Sequence, residues 1–199
     1  MSERNAEIHR KTAETDVHVA IGLDGTGIPE IDTGIGFFDH MLTLFASHGR
    51  FDLTVKCDGD IEVDGHHSVE DIGITMGQAF HAALAEKRGI TRYGSFYLPM
   101  DETLVLAALD ISGRPFLVYD PGDTPITPMI GGYDTELTEE FLRAFAFHAG
   151  ITLHVKILYG TNSHHKVEAV FKALAHALRI AVEKDVRLGD MIPSTKGVL

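Results

Sequence analysis

The chain has 199 residues, 44% of them hydrophobic, which suffices for one domain or two small fused units around a real core. A formal charge of -12 argues against broad nucleic-acid binding, and the lone Cys57 excludes an intrachain disulfide and any cysteine-based zinc knuckle. With no signal-peptide pattern and no apolar run long enough to cross a bilayer, the expectation is a cytoplasmic protein without nucleic-acid or membrane partners.

In chain order, residues 17–23 alternate as a strand. Residues 37–48 carry Phe37, Met41, Leu44 and Phe45 at helical spacing, and 52–56 alternate again. A long helix follows the pair His66–His67, with apolar spacing over 72–84. Strands are then expected at 103–111, 115–119 and 151–158, and helices at 136–148 and 164–184. Phe171, Leu174, Ala175 and Leu178 give the last helix a buried stripe. The stretch "DPGDTPITPMIGGYDTE" (120–136), with three prolines, is an internal loop, and 190–199 is a tail.

The chain repeats itself. "LTLFASHGRFDLTVK" (42–56) aligns without gaps on "LRAFAFHAGITLHVK" (142–156), matching Leu42/Leu142, Phe45/Phe145, Ala46/Ala146, His48/His148, Leu53/Leu153, Val55/Val155 and Lys56/Lys156. After a loop two residues longer in the first copy, "GHHSVEDIG" falls opposite "NSHHKVEAV", and upstream "ETDVHVAIGLDGTG" (14–27) resembles "ETLVLAALDISGRP" (102–115). The class is therefore α+β, internally duplicated into sheet-plus-helices units at 1–90 and 91–199. Helices lie on one face of each sheet, and the two long helices are expected to sit together.

The repeated HHxxE pattern carries the chemistry. Residues four apart share a helix face, so His66 with Glu70, and His164 with Glu168, each form a pair that grips a cation. Ordinary capping by Ser163, with Glu168 complementing the helix dipole, is the bland alternative. Successive helical side chains diverge by about 100°, which turns His67 and His165 toward different sites. The same alignment sets His40 of "FFDHML" against Glu140 of "TEEFLRA". Eight candidate ligands result: His40, His66, His67, Glu70, Glu140, His164, His165 and Glu168. Nitrogen and oxygen donors without sulfur suit Mn²⁺ or Fe²⁺, with Zn²⁺ the usual rival.

Together "DTGIGFFDHML", "GHHSVEDIG", "SGRP", "LYGTNSHHKVEAVFKALAHALR" and "PSTKG" resemble the imidazoleglycerol-phosphate dehydratase family, from about residue 8 to the end of the chain. The resemblance implies a duplicated fold of the ribosomal protein S5 domain 2-like type, a homo-24-mer, and two Mn²⁺ per active site at subunit interfaces. It implies ligands at His40, His66, His67, Glu70, His164, His165 and Glu168. At Glu140 many members carry His.

The implied reaction dehydrates D-erythro-imidazoleglycerol phosphate to imidazoleacetol phosphate in L-histidine biosynthesis. The proton lost is not acidic, so the metals are expected to hold the ring as an imidazolate that expels the hydroxyl, after which a carboxylate takes the acidified proton. Glu14 or Glu168 is the expected base. Phosphate anchors in an acidic protein must be local: Arg92, Arg114, Lys172, Ser194, Thr195 and Lys196, with His48 near the first site and Glu14 also against the substrate. A metal-storage or metal-sensing assembly, or a metal-dependent phosphoester hydrolase, are the alternatives. Dispersed anion anchors speak against storage.

Overall fold

The computed structural model describes residues 4–199. Its elements are β1 (Asn5–Lys11), β2 (Thr15–Gly22), β3 (Pro29–Asp32), α1 (Gly36–Gly49), β4 (Asp52–Gly59) and α2 (His66–Leu84). They are followed by β5 (Tyr93–Met100), β6 (Thr103–Asp110), β7 (Phe116–Asp120), β8 (Met129–Ile130), β9 (Tyr133–Asp134), α3 (Leu137–Ala149), β10 (Thr152–Tyr159) and α4 (Ser163–Val182). Two four-stranded sheets, ordered β1-β2-β4-β3 and β5-β6-β10-β7, repeat one topology; β8 and β9 make a small hairpin inside the proline-rich loop. In each sheet the last strand in that order runs parallel to its neighbour and the other pairs are antiparallel. The chain is α+β, and no helix among the described residues is long and apolar enough to cross a membrane.

Alternation builds the central strands. Thr15, Val17, Val19 and Ile21 of β2, and Thr103, Val105, Ala107 and Leu109 of β6, all face inward, as period-two geometry requires. The edge strands β1 and β5 escape the pattern. β1 offers only Ala6 and Ile8, both partly buried, and β5 has Gly94 on its inner face. That glycine is required there, because a Cβ at Gly94 would lie 1.9 Å from the Ala177 carbonyl oxygen of α4. The stripe on α1 is also rotated from the expected one: Phe38, Met41, Leu42 and Phe45 are buried, whereas Phe37 and Leu44 are only partly covered. Phe37 instead packs beside Tyr133 and edge-on against His164. On α4 the expected residues Phe171, Leu174, Ala175 and Leu178 are all fully buried.

The helices fill the space between the two sheets, and their pairing corrects the expectation that the long helices sit together. Long α4 packs against short α1 of the other copy, and long α2 against short α3, the most extensive helix contact in the molecule. His40 lies beside His164 and His48 beside His176, so α1 and α4 run in the same direction. The α2–α3 approach is closer still, since a Cβ at Gly77 would lie 2.7 Å from the Phe145 carbonyl oxygen. This crossing gives the two halves one continuous core, in which Phe141 and Phe171 stack and Phe38 of a third helix meets both edge-on.

Candidate metal centre and anion anchors

Helix α4 begins where the sequence places it, but its cap is Asn162, not Ser163. The Asn162 side chain accepts from His165 N at 3.2 Å, a bond of a kind that contributes about 1 kcal/mol, and Ser163 Oγ instead accepts from Thr127 N at 2.9 Å. One turn in, the buried Glu168 carboxylate is met from several sides. His164 Nε2 lies 3.0 Å and His40 Nε2 3.4 Å from its Oε2, while Lys172 Nζ donates to Oε1. Burial alone raises the Glu168 pKa, but Lys172, His164 and His40 outweigh it and hold the carboxyl below its ordinary value. His40, His164 and Glu168 each offer a ligand atom, all within 4.8 Å of one another. Two imidazoles and one anionic carboxylate, with side chains of His40 and His164 about half exposed, make a donor set that fits a divalent cation with open positions for a ligand.

The duplicate corner is related but not equal. His66 and Glu140 line one cleft with Asp64, Asp134 and Glu136, and Glu70 and Glu140 line a smaller one with Arg143 and His148. Glu140 is held by Arg143 at 3.1 Å, and Arg143 also grips Glu139 at 2.7 Å. Among the described residues, the α1–α4 corner is the one place where three such donors converge. Its counterpart also lacks a side-chain cap: Gly65 precedes α2, and Asp64 Oδ1 accepts from His66 N at 2.7 Å.

His67 and His165 turn away from their neighbours, with ring planes at 88° and 86° to His66 and His164. Each Nδ1 meets a carboxylate, Asp60 at 3.0 Å for His67 and Glu102 at 2.8 Å for His165. Asp60 escaped sequence reasoning because it lies in a turn with no motif around it. Glu102 stood out only as the counterpart of Glu14. It accepts from Asn162 N at 2.7 Å, Thr161 N at 3.0 Å and Thr103 Oγ1 at 2.9 Å, and the Asn162 bond, then His165, then Thr161 hold its carboxyl far below the usual range. Glu14 is exposed, and the nearest cationic group to its carboxylate is His67 Nε2 at 3.8 Å.

The candidate anion anchors fall into two groups. Lys172 and His48 lie along the α1–α4 seam, where burial first and Lys172 second push the His48 pKa down. His176, stacked on Phe96 at 4.2 Å with its Nδ1 buried and unpartnered, is pushed down to about 4, first by burial. Arg92, Arg114 and the tail residues Ser194, Thr195 and Lys196 gather at the far end of α4. Arg92, in a positive-φ backbone (75°), gives its fork to Asp110 at 2.7 and 3.1 Å and to the Pro193 carbonyl at 2.9 Å. Arg114 is largely exposed, 3.9 Å from the same Asp110. Lys196 is exposed on a turn in which its N donates to Ser194 Oγ at 3.2 Å. Arg92 N donates to the Ala181 carbonyl, thirteen residues after Glu168 along α4. At about 1.5 Å per residue, the arginine group and the His–Glu corner are roughly 20 Å apart within one chain.

A duplicated α+β scaffold whose helix starts bring histidine and carboxylate donors together, with arginines held at the far end of α4, has the residues of an enzyme site able to hold a divalent cation and an anionic small molecule. Residues 33–178 match the family described as imidazoleglycerol-phosphate dehydratase. The chain is 59% identical over 197 residues to the imidazoleglycerol-phosphate dehydratase of Cereibacter sphaeroides, covering 98% of this chain and 100% of that protein. It is 57% identical to that of Acetivibrio thermocellus, covering 99% and 100%. The crystal structure of imidazoleglycerol-phosphate dehydratase from Staphylococcus aureus superposes with a TM-score of 0.81 at 39% identity, covering 91% of this chain and 99% of that one. IGPD from Pyrococcus furiosus in complex with (S)-C348 gives 0.81 at 40% identity, covering 96% and 100%. The chain belongs to the imidazoleglycerol-phosphate dehydratase family, and it is accordingly a dehydratase, a lyase of histidine biosynthesis.

Proposed function

We propose that the chain converts D-erythro-imidazoleglycerol phosphate to imidazoleacetol phosphate in the cytoplasm, using two Mn²⁺ held by His40, His66, His67, Glu70, Glu140, His164, His165 and Glu168. The observation that carries this reading is the convergence of His40, His164 and Glu168, assembled from helices of different copies. When bound, the manganese pair supplies Lewis-acid stabilisation of the substrate ring as its imidazolate.

The residues of the chain do the rest. The hydroxyl leaves the carbon attached to the ring, a proton leaves the neighbouring carbon, and the enol so formed becomes the ketone; the elements lost sum to one water. Of the two expected bases, Glu14 is the better supported. Glu168 is already engaged by Lys172, His164 and His40, whereas the Glu14 carboxylate is exposed beside the His67 ring and free to approach a C–H. Arg114, Lys196 and Ser194, with Thr195 and the Arg92 guanidinium, hold the phosphate, and His48 and Lys172 flank the donor corner.

A three-carbon chain between ring and phosphate is far shorter than the roughly 20 Å separating the two groups along α4. One substrate touching both therefore needs two copies of the chain, which supports the homo-24-mer with shared sites. The outer face of the second sheet supports it as well, because Tyr93, Tyr97, Phe116 and Val118 are exposed there.

The test is metal analysis of the purified chain together with an assay for imidazoleacetol phosphate. Chelator-sensitive ketone formation without release of inorganic phosphate is expected. Phosphate release would favour a hydrolase, and metal uptake without turnover would favour storage.

A further inference from the structure

The duplication should have given both copies the same support for the outward-facing histidine, and it has not. Glu102 and Glu14 occupy the same position at the start of β6 and β2, yet only Glu102 reaches a histidine Nδ1. In the first copy that contact is made by Asp60, which the loop before α2, longer by two residues, carries alongside His67 at 3.0 Å.

A carboxylate oxygen only accepts, so the ring nitrogen facing it carries the proton and the other nitrogen keeps its lone pair. Resting on the manganese reading above, we propose that Glu102 and Asp60 are positioning residues that fix His165 and His67 with Nδ1 protonated and Nε2 as the metal-binding atom. Glu14, relieved of this task by Asp60, is thereby left free for chemistry. Glu102 is built for the role. Its Oε2 takes the His165 ring, while its Oε1 takes Thr161 N, Asn162 N and Thr103 Oγ1. Asn162 in turn caps the backbone of His165. Ring and main chain of one residue are thus tied to the same turn, which limits both tautomer and orientation before any cation arrives.

The test titrates Mn²⁺ into the metal-stripped full chain and reads free Mn²⁺ by its EPR signal, beside kcat and KM. Glu102→Gln is expected to weaken one class of site by about 10–100-fold, as loss of a carboxylate behind a histidine ligand does elsewhere. Combined with His165→Ala it should cause no further loss, since both changes remove one function. Asp60→Asn should do the same through His67, and it keeps the proposal testable if Glu102→Gln fails to fold. Glu14→Gln should lower kcat with both classes of site intact. Wild-type affinity in Glu102→Gln and Asp60→Asn, or additive losses with the histidine variants, would overturn this proposal alone. Failure of the wild-type chain to take up any Mn²⁺ would overturn the function proposed above and this inference with it.

Discussion

The corner formed by α1 and α4 and the corner formed by α3 and α2 come from the same repeated unit, but their charges differ. The first has two imidazoles and one carboxylate, with Lys172 on the carboxylate's far oxygen. The second has one imidazole and two carboxylates, with Ile74 at the position matching Lys172 and Arg143 drawing Glu140 to itself. Three donors converge in the first corner and not in the second. A duplicated backbone sets where ligands start; the local cation decides where their tips end.

The largest effect that would break this comparison is loss of a converged donor. Glu168→Gln should lower kcat/KM on the order of 10³-fold, matching several kcal/mol of Lewis-acid stabilisation, and Glu140→Gln should cost clearly less. Equal losses in steady-state kinetics would show that both corners work alike once the assembly forms. Next comes packing. Gly77→Ala at the close α2–α3 crossing should cost about 1–3 kcal/mol in denaturant unfolding, because the Phe145 carbonyl stands in the way. The matching change on α4, Ala175→Gly, should cost about 1 kcal/mol, mostly through helix propensity.

A smaller effect sharpens the comparison from the other side. Arg143→Gln frees Glu140, and manganese titration should show a several-fold gain in affinity at that corner, with Glu168's corner unchanged. The smallest concerns pH. His176 is neutral in the folded chain down to about pH 4, whereas an unfolded histidine protonates near its ordinary 6.5. Protons therefore favour the unfolded chain, and stability is lost as pH falls from about 6.5 to about 4. The matching residue in the first copy is Gln78. His176→Gln should make the melting temperature fall less between pH 7 and pH 5 than it does in the parent chain.

Much of the fold was legible because period and duplication reinforce each other. The central strands β2, β6, β4 and β10 and all four helices follow their apolar spacing to within a few residues. Of the edge strands, β7 falls close to the expected 115–119, but β1 and β5 did not show. β1 buries too little, and β5 trades an apolar side chain at Gly94 for close approach to α4. The stripe on α1 was misread by a fraction of a turn, because Phe37 is apolar for contact with Tyr133 and His164 rather than for the core. At the site, the HHxxE spacing pointed to His164 and Glu168, two of the three donors that converge, and the ungapped repeat pointed to the third, His40. Asp60 had no local signal, and Glu102 had none beyond its equivalence to Glu14.

The sequence by itself determined the ligand types and the duplication, which are read from residue identity and order, and the i,i+4 pairing and divergence of adjacent histidines, which follow from helix geometry over one or two turns. The tertiary structure decided that α1 lies on α4 and α3 on α2, and hence that His40 meets the His164–Glu168 pair. It also decided that the arginines stand at the opposite end of α4 and that Asp60 replaces Glu14 behind a histidine. Those choices depend on which apolar faces bury one another across the whole core, and no window of neighbouring residues contains that information.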